Sequence, residues 1–151
     1  MPYIKTAKLR KLIRQIQPGV KFPLYRDRMY YVIPHEDLQG LVDDHYDEFI
    51  ADLPQEEVAL GDLLSGAPED EDCDDWADSF KCFVRRHYRK KIGINKSAAV
   101  SEVTGLMFDG IEINHTKNIV VTTEGVYFVD AHTKDVKVPN EVEDKIWRVN
   151  F

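Results

Sequence analysis

Apolar residues in this chain recur first with a helical period and later with the twofold period of strands. Leu9, Leu12, Ile13 and Ile16 fall at i, i+3, i+4 and i+7, and Pro18-Gly19 ends the run, so a first helix is predicted. Phe22, Leu24 and Tyr30–Ile33 predict extended chain over residues 21–33, with Arg26-Asp27-Arg28 as a turn. Residues 35–64 are acidic and irregularly apolar. They predict helical pieces around Glu36–Phe49 and Gln55–Leu64, separated by Pro54. Ser65-Gly66-Ala67-Pro68 marks a loop.

From Asp72 the helical period sharpens. Cys73, Trp76, Ala77, Phe80, Val84, His87 and Tyr88 form one stripe of a long helix that runs to about Lys91 and stops at Gly93. Beyond it, Val100–Phe108, Ile111–Thr122 and Val126–Asp130 are β-branched or aromatic runs. Asp109-Gly110 and Thr123-Glu124-Gly125 punctuate them as hairpin turns. Ile146–Phe151 reads as a closing strand. The expected class is α+β, one domain over residues 1–151. Residues 1–69 form a helical or irregular half, and residues 70–151 a central helix on an antiparallel sheet.

Composition agrees with a globular protein: of 151 residues, 43% are hydrophobic and 31% charged. No apolar run approaches the length of a membrane span. The first residues carry no apolar signal segment, so an intracellular or virion-associated protein without a signal peptide is expected. Charge is segregated. Residues 29–80 hold 17 acids and no Lys or Arg, whereas residues 81–96 hold 7 Lys or Arg and no acid. Such segments are expected to neutralise one another in the fold. The net charge of −7 and the lack of any nucleic-acid motif leave no nucleic-acid partner.

Cys73 is the first candidate for chemistry, because a helix N-terminus stabilises a thiolate. Its plainer reading is a small buried hydrophobe. Cys82 lies nine residues on, ~13 Å along the axis and on the opposite side of the helix, so the two cysteines do not pair. His87 is ~21 Å along the helix from Cys73, beyond reach of the thiol. His115 sits in an apolar strand. If the next turn is at Thr123-Glu124, residue 115 faces residue 132, and Asp130 becomes its diagonal neighbour at ~7 Å. Cysteine, histidine and acid in this order have the layout of a thiol triad, in which the imidazole takes the thiol proton and the carboxylate fixes the tautomer. The acids around Cys73 oppose its ionisation unless a cation binds them.

Asp72-Cys73-Asp74-Asp75-Trp76-Ala77, followed by His115-Thr116-Lys117-Asn118 and by Asp130-Ala131-His132-Thr133, resembles the motif series of a papain-like cysteine-peptidase family. That family includes the C-terminal domain of a mushroom agglutinin and small phage and bacterial proteins. The resemblance spans roughly residues 70–135. It implies a papain-like fold with Cys73 as nucleophile, His115 as base and Asp130 as orienting acid. It further implies a hydrolase, a cysteine or thiol protease acting on a peptide or protein substrate, with calcium held near Asp72, Asp74 and Asp75. Asp130 stands where the family has Glu, and Ala131-His132 where it has Pro-Gln. The alternative expectation is a non-catalytic phage or bacterial structural or binding protein on the same fold, engaging a phage or host protein.

Overall fold

The computed structural model describes residues 3–21, 29–52, 73–93, 96–140 and 143–151. The expected helical piece Gln55–Leu64 and the acids Asp70, Glu71 and Asp72 lie outside these residues. So does most of the extended run 21–33.

Chain order begins with strand β1 (Tyr3–Lys5), helix α1 (Thr6–Ile16) and strand β2 (Met29–Tyr31). A 3-10 turn at His35–Asp37 leads into helix α2 (Leu38–Asp52). Helix α3 (Cys73–Ile92) is followed by strands β3 (Ser97–Ala98), β4 (Val100–Phe108), β5 (Ile111–Thr122), β6 (Gly125–Asp130), β7 (Asp135–Lys137) and β8 (Lys145–Asn150). A small sheet has the order β1-β2-β3, and a five-stranded sheet the order β7-β6-β5-β4-β8. The architecture is α+β, and all pairings of the larger sheet are antiparallel. Among the described residues, no helix is long and apolar enough to cross a membrane.

The helix α3 forms where its apolar stripe has a surface to cover. Cys73, Trp76, Ala77, Phe80, Val84, Tyr88 and Ile92 are buried. Trp76, Phe80, Val84, Tyr88 and Ile92 pack with α2 residues Leu38, Leu41 and Val42 and with Val100, Val120 and Val129 of the sheet. His87, expected on this stripe, is exposed and rests its ring edge-on against Tyr88. Acids Asp74 and Asp75 in the first turn, and Arg89, Lys90 and Lys91 in the last, complement the helix dipole. A second core lies beneath α1, where Leu9 and Ile13 meet Val103, Phe108, Ile119 and Phe128.

The acidic and basic stretches meet where Arg86 pairs with Glu48 and Lys81 with Asp78; Lys81 also pairs with Glu102, and Asp43 with Lys134. The tight turn at Asp109-Gly110 uses positive φ at both residues, 52° and 75°, the left-handed pair that matches strand twist. The next turn brings Thr122 opposite Gly125, so β5 and β6 pair in the expected register, with Asn118 facing Val129.

Candidate functional site

Register decides what β5 can present to its neighbours. Successive residues of a strand point to opposite faces. Asn118 donates from Nδ2 to the Ala77 carbonyl of α3 at 2.8 Å, and Thr116 hydrogen-bonds the sulfur of Cys73. Thr116 and Asn118 therefore face the helix. His115 and Lys117 face the other way, toward Phe108: the imidazole lies edge-on to that ring at 6.0 Å, and the Lys117 ammonium sits 4.9 Å over it.

On that face β6 supplies Asp130. His115 Nε2 and Asp130 Oδ2 are 3.0 Å apart, so the shorter acid reaches the imidazole. Asp130 Oδ1 accepts the backbone N–H of His132 at 3.2 Å and of Thr133 at 3.3 Å. Burial works against the charge of Asp130, but the hydrogen bond and charge of His115, together with Lys117, hold its carboxyl below the usual range. A carboxylate only accepts, so in the neutral imidazole the proton sits on Nε2 and Nδ1 is bare. Nδ1 is buried and has no hydrogen-bond partner.

Cys73 opens α3 as expected, but the environment of its sulfur is not that of a thiolate. The side chain is buried. Burial pushes the thiol pKa up, and Asp74 pushes it further, against the lowering effect of the Thr116 hydrogen bonds. The Sγ–H points to Asp74 Oδ1 at 3.8 Å, and neither ring nitrogen of His115 bonds the sulfur. The structure thus joins His115 to Asp130 and leaves Cys73 with Asp74 and Thr116.

Of the expected calcium ligands, Asp72 lies outside the described residues, Asp74 and Asp75 are exposed, and Asp74 accepts from the thiol. Among the described residues no group of three or more His, Cys, Asp or Glu is placed to hold a metal ion.

Two parts of the site escaped the sequence reading. Lys117 is buried beside the pair and bridges toward Asp109 at 3.7 Å. Its spacing of two from His115 in a strand was the available signal. His132 packs at a tilt against Trp76 with ring centroids 5.1 Å apart. No sequence pattern announces that contact, because it joins a loop to a distant helix.

No protein family matches this chain, and no curated protein does. Solved structures do match. One, described as the PSL1a-E64 complex, has a TM-score of 0.68 and 17% identity over 99% of this chain and 51% of its own. Another is Polyporus squamosus lectin bound to the human-type influenza-binding epitope Neu5Aca2-6Galb1-4GlcNAc, with a TM-score of 0.67 and 16% identity over 99% of this chain and 49% of its own. The chain therefore spans about half the length of these structures, and at such identities the likeness shows the fold alone.

These neighbours correct the expectation drawn from the motifs. One of them is described as a lectin bound to a sialylated glycan, and no peptidase family matches. Assignment to a papain-like cysteine-peptidase family, with its hydrolase, cysteine-protease and thiol-protease descriptions, is withdrawn, and a peptide substrate has no support. In the structure, burial pushes the Cys73 thiol pKa up, and its sulfur bonds Asp74 and Thr116. In place of that family stands a fold shared with these solved structures.

Proposed function

We propose that the chain is a non-catalytic binding protein on this fold, with a hydroxyl-rich ligand of the carbohydrate class as its partner. The observation that carries the reading is the His115–Asp130 pair, whose buried Nδ1 is a bare acceptor without a partner. A buried acceptor left unpaired is costly, and a ligand hydroxyl donating to Nδ1 would remove that cost. On the same face, the Lys117 ammonium supplies a donor beside the pair and the Phe108 ring an apolar wall. The described lectin complex holds a sialylated trisaccharide, and that class of ligand is the first to try.

The test is a glycan array probed with the wild-type chain and His115→Ala, with Neu5Aca2-6Galb1-4GlcNAc included. Binding to one glycan class, weakened tenfold or more by the substitution, is the expected result; that factor is about 1.4 kcal/mol, the size of a hydrogen bond in a buried site. Binding to no glycan, or binding indifferent to His115, overturns it.

Alkylation of the folded protein at pH 6 to 7, read by peptide mass, tests the non-catalytic part of this reading. Exposed Cys82 should label at least tenfold faster than buried Cys73. Faster labelling of Cys73 that collapses in His115→Ala would overturn it.

A further inference from the structure

We propose that His132 is a positioning residue for the His115–Asp130 pair, acting through its tilted contact with Trp76. The inference rests on the reading of that pair as the working part of the site. Asp130 ends β6, and residues 131–134 return the chain to β7, where Asp130 faces Asp135. One carboxylate thereby joins two structures: Oδ1 takes the N–H groups of the loop at His132 and Thr133, and Oδ2 takes the imidazole of His115. Wherever the loop backbone goes, the carboxylate plane follows.

The turn is strained where it closes: Lys134 has a φ of 62°, in the left-handed region that side chains rarely adopt. Contacts with the helices hold it in place. The His132 ring lies over Trp76 at 5.1 Å and 36°, and Trp76 is one helical turn beyond Cys73. On the adjoining side, the Lys134 ammonium sits 4.9 Å over Tyr46 and 3.6 Å from Asp43, and Tyr46 stacks on Trp76 at 5.5 Å. His132 is therefore the ring that ties the loop to the helix carrying the thiol. Without it the N–H donors can leave Oδ1, the carboxylate can turn, and the imidazole loses the fixed acceptor that keeps its proton on Nε2.

The experiment is long-range 1H–15N NMR of the histidine rings in the full chain without ligand, at a pH where the imidazoles are neutral. Wild type should give His115 as one tautomer, protonated on Nε2. His132→Ala should lower the ratio of that tautomer to the Nδ1–H form roughly fivefold, equivalent to about 1 kcal/mol, the range of one aromatic contact. His132→Phe, which keeps the ring contact and removes every ring nitrogen, should restore the wild-type ratio. If His132→Ala does not fold by circular dichroism, His132→Gln takes its place with the same expected loss. An unchanged tautomer ratio in the folded variant, or failure of His132→Phe to restore it, overturns the proposal. A blank glycan array would leave this ratio unaffected, so the two failures are separable.

Discussion

His45 offers the sharpest test of how the helical layer is held. It lies on α2, is buried, and sits among Phe49, Trp76, Phe80 and Phe83 with ring centroids 5.3 to 6.1 Å away. Its Nε2 meets Ser79 Oγ at 3.0 Å, and its Nδ1 has no partner. Burial lowers its pKa from 6.5 to about 4, Glu48 opposes the shift, and Arg86 adds to it. The folded state therefore binds this proton later than the unfolded chain does as pH falls. Its contribution is complete above 6.5 and is lost between there and about 4. The full shift corresponds to about 3 kcal/mol, with a slope approaching 1.4 kcal/mol per pH unit inside the window.

Urea denaturation at pH 7, 6, 5 and 4 measures this if the wild type is compared with His45→Gln. Glutamine keeps a hydrogen bond to Ser79 and does not titrate. Carboxylates elsewhere titrate alike in both proteins and cancel in the difference. The wild type should lose about 3 kcal/mol relative to the variant between pH 7 and pH 4. Parallel pH curves would refute the reasoning and would mean that the ring reaches solvent or a compensating acid.

Gly105 lies opposite His115 in the sheet, and a Cβ there would fall 2.8 Å from the Phe108 ring and 2.9 Å from the Lys145 carbonyl. Gly105→Ala should cost about 1–3 kcal/mol in chemical denaturation, because backbone cannot yield as a side chain would. Asn118 ties β5 to α3 through its bond to the Ala77 carbonyl and is fully buried, so Asn118→Ala should cost about 1–3 kcal/mol by the same assay. Trp76→Ala should lower stability by about 3–5 kcal/mol and speed hydrogen exchange in the loop at residues 131–134, since it removes both core volume and the ring beneath His132.

The long elements were legible because they carry their own period and punctuation. The stripe from Cys73 to Tyr88 specified α3, Asp109-Gly110 and Thr123-Glu124 specified two hairpins, and the second turn specified its register. That register brought Asp130 to His115, as the spacing suggested. The short sheet β1-β2-β3 was not legible, since strands of two or three residues are too brief to show alternation. Nor was the break between thiol and imidazole. Motif order places Cys73 near β5, but the pleat makes Thr116, one residue past His115, the neighbour that faces the helix. His45 showed no partner in the sequence because its surroundings come mostly from α3, some thirty residues on.

The borders of the larger sheet bear on how the protein behaves when crowded. At one border, β8 donates the Val149 N–H to the Lys21 carbonyl and accepts the Lys21 N–H at the Trp147 carbonyl, so Lys21 already occupies part of that ladder. At the other, β7 is three residues long and carries Asp135 and Lys137, paired with each other at 3.1 Å. Occupied or short, charged borders make poor templates for strands of another molecule. At high concentration the chain should resist the strand-by-strand stacking that converts open sheets into fibrils, and association, where it occurs, should proceed through side chains.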